Sequence, residues 1–511
     1  MRRCLASLLG FVLALVVGWA REVPITILHT TDLHGNILTA NDAEPTGGLA
    51  RCATVIRQVR ATEKNVLLVD AGDTIQGSAA SWLSGGLVML KAMNSLHYDA
   101  WVLGNHEFDW GLEKLTNCIL AATMPVLAAN LDGLAKVRPY VVREVDGVKV
   151  GIVGVTTPGI PNWSRPRLIP WLRFADSLET LRKVLPACRR EGAQVLVLVA
   201  HQGYKESGDD HANQIRALAR QFPELDVIIG AHTHRHFPEF RIGAVLYTQA
   251  DFHGRRLGRV DLVFDTDKQR VVSKRSCTVL MDDSVSADPS VMELAREDLE
   301  REKKHLATVL GEAAEDFSTR GAPRKETPIH NLICEAIAEA LQQRGVKVDA
   351  VIHGLLNLRT GLSKGPITMR DIWHLIPYEN TVGVVRLTAG ELREILEENV
   401  GAYDKHEFRG MWGVFWRFDP RAPEGRRVLE IRWPNGAPVN ETERLRVAFN
   451  SYELASGGLR WKKLREIADR PETSLQEFDL ETREAVAEYV RRHGVIHPVV
   501  RRWWQTEIAR R

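Results

Sequence analysis

The sequence predicts an α/β protein in which an N-terminal sandwich of two stacked mixed sheets is joined by a long helix to a C-terminal α/β domain. Three observations predict this fold class. Short apolar runs alternate with helix-like segments over residues 21–283, a charged stretch with few apolar positions follows at 284–317, and a second alternation of helices and strands fills 318–511. A chain of 511 residues is long enough for two domains, each with its own core.

Buried strands of the first domain are predicted where short apolar runs end at glycine or polar residues. They lie at 25–28, 66–69, 100–103, 126–128, 195–199 and 227–229. Apolar residues at helical spacing predict helices at 49–60, 87–96 and 175–190. Residues 140–151 alternate about Asp146 and Gly147, which predicts a hairpin. Antiparallel strands are predicted at 245–248, 259–264 and 270–279.

The charged stretch 284–317 predicts an exposed helix that links the two domains and serves as the hinge for their relative motion. The pattern that follows it is that of a second α/β domain. The predicted elements are a helix at 329–344, a strand at 348–352, helices near Met369 and Ala389, strands at 428–433 and 445–449, and a closing helix at 480–492.

The N-terminus has the three parts of a secretory signal peptide. The first three residues carry two arginines, residues 5–17 are apolar, and Gly18 and Ala20 are small residues suited to a cleavage site. The apolar run is too short for a membrane span, and no later run is long and apolar enough. We therefore expect residues 1–20 to be removed and the mature chain to be periplasmic or secreted. The alternative is an uncleaved anchor.

Charge and cysteine content exclude several classes of protein. The formal net charge of +2 falls to zero when the two arginines of the signal are lost, which argues against a nucleic-acid polymer or an anionic membrane as the main partner. The mature chain keeps an odd number of widely spaced cysteines without a C-x-x-C pair, so free thiols are expected instead of a disulfide framework or a zinc ribbon. They are Cys52, Cys118, Cys188, Cys277 and Cys334.

Polar clusters follow five of the predicted strands, where sites of open α/β sheets are built. A single histidine in such a place is more often structural, but five such strand ends in one domain favour a metal site. Imidazole and carboxylate ligands together suit Zn, Mn, Co or Fe better than Ca or Mg alone. Two neighbouring metals need a bridging carboxylate, for which Asp73 is the natural choice. The candidate ligands are Asp32, His34, Asp73, Asn105, His201, His232 and His234.

Spacing within these clusters favours convergence on one site. Asp32 and His34 are two residues apart, as are His232 and His234, and such residues point the same way along an extended chain.

The ordered blocks D-x-H-G, G-D, G-N-H-E, a lone histidine after a strand, and G-x-H-x-H resemble those of the calcineurin-like metallophosphoesterases. The fuller forms at 28–35 and 104–109 resemble the 5′-nucleotidase branch of that family. That branch includes secreted nucleotidases, UDP-sugar hydrolases and cyclic-nucleotide phosphodiesterases. The resemblance covers nearly the whole mature chain and implies the fold predicted above, with a C-terminal domain of the 5′-nucleotidase type.

The resemblance implies two divalent metal ions. It places one on Asp32, His34, Asp73 and His234, and the second on Asp73, Asn105, His201 and His232. Two such cations lower the pKa of a bound water and stabilise charge on the attacking and leaving oxygens.

A catalytic pair is implied next to the metal ligands. His106 contacts the phosphoryl group and stabilises the transition state, and Asp109, three residues on, orients His106. Such a pair favours an imidazolium beside a carboxylate. The alternative for Asp109 is the N-cap of a helix.

The second domain is implied to select the substrate through an arginine and stacking aromatic residues. Base-stacking aromatics contribute roughly 1–3 kcal/mol per base. The alternative is that the two aromatic residues are ordinary core residues. The matching positions are Arg359, Tyr378, Trp461, Lys325 and Asn357.

Departures from the family pattern concentrate in this second domain. The loop 353–359 carries leucines where glycines are usual, His330 stands where glycine is usual, and Lys325 falls near a position that is often arginine. Lysine offers a point charge in place of a bidentate fork, so the grip on phosphate is expected to be weaker. In the first domain His253 replaces a common tyrosine, for which only packing is expected.

The implied function is metal-dependent hydrolysis of a small-molecule phosphoester, most simply a nucleoside 5′-monophosphate. The same metals with a different C-terminal pocket would make a 2′,3′-cyclic-nucleotide phosphodiesterase or a UDP-sugar hydrolase. A thiosulfohydrolase and a non-catalytic nucleotide-binding protein are more remote alternatives. The sequence sets no oligomeric state.

Overall fold

A computed structural model of the chain describes residues 21–39 and 46–507. The expected signal peptide, residues 1–20, lies outside the described residues. Within the described ranges, no helix combines the length and the apolar character that a membrane crossing requires. The cysteines at 52, 118, 188, 277 and 334 are free thiols, as expected, and of these only Cys277 is exposed.

The N-terminal half folds into alternating strands and helices at the predicted places. Its strands are β1 (Glu22–Thr30), β2 (Val66–Asp70), β3 (Ala100–Val102), β4 (Val126–Leu127), β5 (Leu131–Asp132), β6 (Val137–Arg138), β7 (Tyr140–Val145), β8 (Val148–Val155), β9 (Arg173–Phe174), β10 (Val195–Ala200), β11 (Val227–Gly230), β12 (His236–Ile242), β13 (Val245–Ala250), β14 (Arg256–Asp265) and β15 (Arg270–Leu280). Its first helices are α1 (Leu49–Thr62), α2 (Ala79–Ser84), α3 (Leu87–Ser95), α4 (Gly111–Ala121), α5 (Ser177–Arg190) and α6 (Ile215–Gln221).

Two mixed sheets form the predicted sandwich. The first has seven strands in the order β15-β14-β1-β2-β3-β4-β6, and the second has six in the order β12-β13-β11-β10-β8-β7. Ile25 and Val102 of the first sheet pack against Ile152, Val197 and Ile229 of the second in one buried core. Helices cover the outer faces, so the central strands are buried on both sides and have continuous apolar sequences.

Parallel pairing brings the polar clusters to one edge of the sandwich. Strand β1 runs parallel to β2 and β2 to β3, while β10 runs parallel to β11 in the other sheet. The carboxyl ends of all five strands therefore open towards the same place, which is where the chain carries its histidines and carboxylates.

The expectation that 245–248 is only an antiparallel strand is wrong in part. Strand β13 is antiparallel to β12 but parallel to β11, with Val227 opposite Leu246. Every residue of β13 is buried, as is usual for a strand inside a parallel sheet.

The helix between the domains is shorter than expected and is not a free linker. Helix α7 spans Pro289–Leu306, and the Asp288 side chain caps it by accepting from the backbone N–H of Ser290 and Val291. Val291 and Ala295 are buried in the core of the first domain.

Polar contacts also hold α7 to the first domain. Lys91 Nζ lies 3.0 Å from Asp298 Oδ2, and Glu302 Oε1 accepts from the backbone N–H of Ala80 at 3.0 Å. Leu306, the last residue of the helix, already packs in the core of the second domain, and the next strand begins at Val309. The helix is therefore fixed to the first domain, and the hinge expected along 284–317 stays a prediction.

The C-terminal half is the second α/β domain predicted. Its strands are β16 (Val309–Ala313), β17 (Ala350–His353), β18 (Gly365–Thr368), β19 (Thr381–Thr388), β20 (Gly410–Trp412), β21 (Phe415–Phe418), β22 (Val428–Arg432), β23 (Arg444–Asn450), β24 (Gln476–Glu481), β25 (Val495–Ile496) and β26 (Trp504–Thr506). Its helices are α8 (Pro328–Gln343), α9 (Met369–Leu375), α10 (Ala389–Val400), α11 (Ser451–Leu454), α12 (Lys462–Ala468) and α13 (Thr482–His493). A five-stranded sheet, in the order β20-β17-β23-β19-β24, has one hydrophobic core on each face.

The sandwich core makes a stability prediction. Ile152→Ala removes a fully buried side chain between the two sheets, and it should cost about 2–5 kcal/mol of unfolding free energy because a cavity is left behind. Urea unfolding followed by fluorescence should show an earlier transition. Val272→Ala, at a side chain that is 40% exposed on the outer strand β15, should hardly move it. Equal losses for both variants would contradict the buried interface.

Candidate active site

The structure brings the candidate ligands together in two adjoining groups. Atoms able to hold a metal lie within 4.8 Å of one another in each group. The first group contains Asp32, His34, Asp73 and His234, and the second contains Asp73, His201 and His232. Asp73 is common to both groups. The Asn105 side-chain oxygen lies 3.2 Å from His201 Nε2 and so faces the second group.

Distances between ligand atoms show that each group surrounds one point. His34 Nε2 lies 3.0 Å from His234 Nε2 and 3.9 Å from Asp73 Oδ2. His234 Nε2 lies 3.6 Å from Asp32 Oδ1. In the second group His201 Nε2 lies 3.2 Å from Asp73 Oδ2.

Left-handed backbone, and not an extended chain, aims these side chains. Asp32, His34, Asp73, His232 and His234 all have positive φ, between 48° and 69°. The expectation that residues two apart converge because the chain is extended is therefore wrong. Each polar cluster turns sharply as it leaves its strand, and aspartate and histidine are among the non-glycine residues that adopt this conformation most readily.

Backbone carbonyls orient two of the histidine rings. His34 Nδ1 lies 3.1 Å from the carbonyl oxygen of Gln76, and His201 Nδ1 lies 2.8 Å from that of Ala71. A proton on each Nδ1 is fixed by these carbonyls, so Nε2 is the ring atom that can bind a cation.

Burial prepares three of the histidines to act as neutral ligands. It lowers the pKa of His34 to about 4 and that of His232 to about 3. Together with the charge of His34 it also lowers the pKa of His234, although that side chain is 38% exposed. Burial, with the charge of Asp73 added, raises the pKa of Asp32 to about 7. Two buried carboxylates among these imidazoles need compensating positive charge, so the donor set fits a divalent cation.

His201 differs from these three histidines because it lies directly against Asp73. Burial would lower the pKa of His201, but the charge and the hydrogen bond of Asp73 outweigh it and raise the pKa to about 9. A proton on His201 thus balances the buried carboxylate in the metal-free protein, in the place that a cation would take.

Glu107 is a central residue of the site to which the sequence assigned no role. Its carboxylate is buried and accepts from the backbone N–H of Asp73 at 2.9 Å, of Thr74 at 2.6 Å and of Gly104 at 2.6 Å. It thereby ties the turn after β2 to the turn after β3. The glutamate in G-N-H-E was the available signal, but only the folded chain shows which amides it meets.

His106 and Asp109 form the expected pair. His106 Nδ1 lies 2.6 Å from Asp109 Oδ2, and the His106 backbone N–H donates to Asp73 Oδ1 at 2.8 Å. Helix α4 begins at Gly111 without a side-chain cap, so the alternative of Asp109 as an N-cap is wrong. Burial alone would lower the pKa of His106, but the charges of Asp109 and Asp73 outweigh it and raise the pKa to about 10.

The second domain reaches this site with Tyr378. Its ring is nearly parallel to that of His106, with the centroids 6.1 Å apart and an interplanar angle of 12°, and it is 41% exposed. Arg359 and Lys325 are exposed, and Asn357 accepts from the backbone N–H of Arg359. Lys325 lines a small cleft together with His330.

Trp461 is not brought to the site. It is 3% exposed and packs in the core of the second domain with Leu454 and Leu464. An aromatic ring buried on both faces cannot stack on a base, so the alternative of an ordinary core aromatic describes it correctly. The glycines that precede Trp461 in the sequence do not indicate that it is buried, because its burial depends on helix α12.

Trp163 is an aromatic neighbour of the site that sequence reasoning missed. Its ring centroid lies 5.1 Å from that of His232. The loop that carries it meets the second domain, since Gly458 donates from its backbone N–H to the carbonyl of Asn162 at 2.9 Å. Its distance along the chain from any ligand explains why no pattern found it.

His253 packs against one of the candidate ligands. Its ring centroid is 5.6 Å from that of His34, and its backbone N–H donates to the carbonyl of Asp32 at 2.7 Å.

Comparison with known families accounts for both halves of this arrangement. The family model "Calcineurin-like phosphoesterase" matches residues 25–236, and the model "5'-nucleotidase, C-terminal domain" matches residues 306–466. The chain belongs to the calcineurin-like phosphoesterases of the 5'-nucleotidase type. The phosphoesterase is therefore a member of a family of hydrolases that use divalent metals, and the resemblance found in its sequence is confirmed.

Relatives match this phosphoesterase over almost its whole length. Snake venom 5'-nucleotidase of Naja atra is 28% identical, with 93% of this chain and 97% of that protein covered. The 2',3'-cyclic-nucleotide 2'-phosphodiesterase/3'-nucleotidase of Salmonella typhimurium is 26% identical, with 88% and 84% covered. The crystal structure of the 5'-nucleotidase precursor from Thermus thermophilus is 26% identical, covers 95% of this chain and 99% of its own, and has a TM-score of 0.73. The predicted fold class is confirmed by this likeness.

The pairing of His106 with Asp109 predicts a titration. In metal-free protein His106 should stay protonated until about pH 10, because its neighbouring carboxylates stabilise the imidazolium. Asp109→Asn removes one of those charges, so the pKa of His106 should fall and the ring should lose its proton at lower pH. NMR of the histidine side chains measures this directly.

The matched control for this titration is Asp132→Asn, at an exposed aspartate in β5. It should leave the His106 titration where it is. A His106 pKa that Asp109→Asn does not change would show that the carboxylate does not support the charge on the ring.

Proposed function

We propose that the protein is a phosphoester hydrolase with two metal ions that releases phosphate from nucleoside 5′-monophosphates. The observation that carries this proposal is the sharing of Asp73 between two adjoining ligand groups, with His106 beside them. The relative in Naja atra, whose name is 5'-nucleotidase, supports the choice of substrate.

We assign the metal ligands in two sets. Asp32, His34, Asp73 and His234 would hold one ion, and Asp73, Asn105, His201 and His232 would hold the other. The mixed nitrogen and oxygen donors favour Zn, Mn, Co or Fe. Bound there, the ions would supply an acidified water and positive charge for the phosphate oxygens.

His106 would act on the phosphoryl group as an imidazolium. Asp109 holds its Nδ1 at 2.6 Å, so Nε2 is the atom left to donate a hydrogen bond to an oxygen that gains negative charge in the transition state. Its backbone N–H is held by Asp73, which fixes the ring relative to the ligands. The raised pKa of His106 keeps the proton in place at neutral pH.

Substrate selection would fall to the second domain. Tyr378 offers an accessible ring next to His106, while Arg359, Lys325 and Asn357 offer polar groups for phosphate and sugar. The burial of Trp461 leaves the base with one aromatic partner from this set. We divide the chain into a catalytic domain from residue 21 to the end of α7 and a substrate-binding domain after it.

We also propose that the protein is exported. The basic, apolar and small-residue parts of the first twenty residues support removal of a signal peptide, and the snake venom relative is compatible with a secreted enzyme. The mature protein would then be periplasmic or secreted.

A second function is favoured by one comparison. The Salmonella typhimurium relative carries the name of a 2',3'-cyclic-nucleotide 2'-phosphodiesterase/3'-nucleotidase at an identity close to that of the 5'-nucleotidases. A UDP-sugar hydrolase would use the same ligand set.

A substrate panel separates these functions. Protein stripped of metal with a chelator should release no phosphate from AMP, and added Mn or Co should restore turnover because the ligand groups are then filled. With metal, AMP should exceed UDP-glucose and 2′,3′-cyclic AMP in kcat/KM. The rates should be measured as loss of each substrate by chromatography, because the first cleavage of UDP-glucose or of the cyclic nucleotide frees no inorganic phosphate. Elemental analysis should find two ions per chain. Preferred cleavage of the cyclic nucleotide would establish the second function, and turnover without metal would overturn both.

The role of His106 has its own test. His106→Ala should lower kcat about 10²–10⁴-fold, the range expected when a positioned proton-donating side chain is lost. Its metal content should not change, because His106 is outside both ligand sets. His97→Asn, at an exposed histidine with a similar positive φ to the ligands, should turn over normally. Undiminished hydrolysis by His106→Ala would remove His106 from the mechanism.

A further inference from the structure

A loop of the first domain, residues 76–78, wraps around the candidate ligand His34. The Gln76 carbonyl lies 3.1 Å from His34 Nδ1, and the backbone N–H of Ser78 donates to the His34 carbonyl at 3.0 Å. A Cβ on Gly77 would lie 2.4 Å from that same carbonyl oxygen, so the loop lies directly against the ligand. The position of His34 therefore depends on where this loop is held.

Side chains of the second domain hold the loop. Glu379 Oε2 accepts from Gln76 Nε2 at 2.6 Å, and the indole N–H of Trp373 donates to the Gly77 carbonyl at 3.3 Å. Gln76 and Glu379 are 1% and 7% exposed, so the contact between them is shielded from water. A buried hydrogen bond to a charged group is stronger than one at the surface.

Arg483 fixes Glu379 from the other side. Its guanidinium donates to Glu379 Oε1 at 2.8 Å and to the Ile376 carbonyl at 2.9 Å, and it lies 3.5 Å from the centre of the Trp373 ring. Both oxygens of Glu379 are thus engaged, one by its own domain and one by the first domain. The carboxylate cannot turn away from Gln76 without losing its ion pair with the buried Arg483.

We propose that Glu379, supported by Arg483, is a positioning residue that fixes His34 through Gln76 and so sets the affinity of the first metal group. This inference rests on the proposed function, since it assumes that the first group holds an ion. The contact makes the second domain part of the metal centre as well as the place of substrate selection. Outer partners of metal-ligating histidines commonly contribute about 10–100-fold to metal affinity.

Glu379 is also adjacent in the chain to a residue that contacts the catalytic pair. It directly follows Tyr378, whose ring lies against His106. Neighbouring residues of one loop therefore contact both His106 and Gln76, which supports a metal ligand.

The test is Glu379→Gln, which keeps the size of the side chain and removes the charge that Arg483 holds. Titration of metal-free protein with Mn²⁺ in a calorimeter should show one of two sites weakened about 10–100-fold. Hydrogen exchange of the metal-free protein, followed by mass spectrometry, should be faster in peptides covering 74–80. With metal at saturation, the KM for AMP should stay within about twofold of the wild type, because no substrate contact has changed.

A second variant tests whether the effect of Glu379→Gln comes only from misfolding. Gln76→Met removes the hydrogen bond and leaves the Glu379–Arg483 pair in place, and it should give the same weakened site and faster exchange. The double variant Gln76→Glu with Glu379→Gln rebuilds the bond with the charge on the opposite side, and it should recover most of the lost affinity.

The matched control is Arg165→Met, which breaks another ion pair between the domains. Arg165 is 5% exposed and lies 2.9 Å from Asp469, and its hydrogen bonds within the described ranges do not reach the 76–78 loop. The variant should leave Mn²⁺ affinity unchanged. If it weakens the same site as strongly as Glu379→Gln, the whole interface and not Glu379 is responsible, and the inference is overturned.

Other outcomes separate this inference from the proposed function. Normal Mn²⁺ binding and normal exchange in Glu379→Gln would overturn the positioning role. Two bound ions without cleavage of any nucleotide would overturn the proposed function while the weakened site in Glu379→Gln still supports the inference. Should the wild type bind no metal, the proposed function fails and the inference fails with it.

Discussion

One buried carboxylate, Asp73, determines how the rest of the site is organised. It belongs to both ligand groups, accepts from the backbone N–H of His106 and lies 3.2 Å from His201. A charge so deeply buried is tolerated only where opposite charge and donors surround it. Five strand ends of the two sheets supply the opposite charge and the donors. The stacking of the sheets and the burial of the Asp73 charge therefore depend on the same arrangement of the chain.

Support for Asp73 comes from partners that carry no chemistry themselves. Glu107 ties the turns after β2 and β3 together by accepting from backbone amides, and carbonyls of Ala71 and Gln76 set the rings of His201 and His34. Such fixed surroundings keep ligands in position before any ion or substrate arrives. The site is thus held by the backbone of its own strands and, through residue 76, by the neighbouring domain.

Much of the fold and of the candidate site could be predicted from local sequence patterns. The remainder depends on contacts between residues that are far apart in the chain. The alternation of apolar runs predicted the sandwich and placed the polar clusters at strand ends, because strand burial leaves a direct trace in sequence. Three features leave no such trace in the sequence. They are the packing of α7 on the first domain, the parallel pairing of β13 with β11 and the burial of Trp461. Trp163 and Glu379 were missed for the same reason, since each meets the site only through residues remote in the chain.

The left-handed backbone of five ligand positions has a consequence for anyone who dissects the centre by mutagenesis. A β-carbon without a local polar partner makes that conformation costly, so alanine at residue 32, 34, 73, 232 or 234 would distort the turn as well as delete a donor. Asparagine tolerates the same dihedral angles and keeps the turn intact. Losses seen with alanine at these places would therefore mix chemistry with conformation, and an amide series would report the chemistry alone.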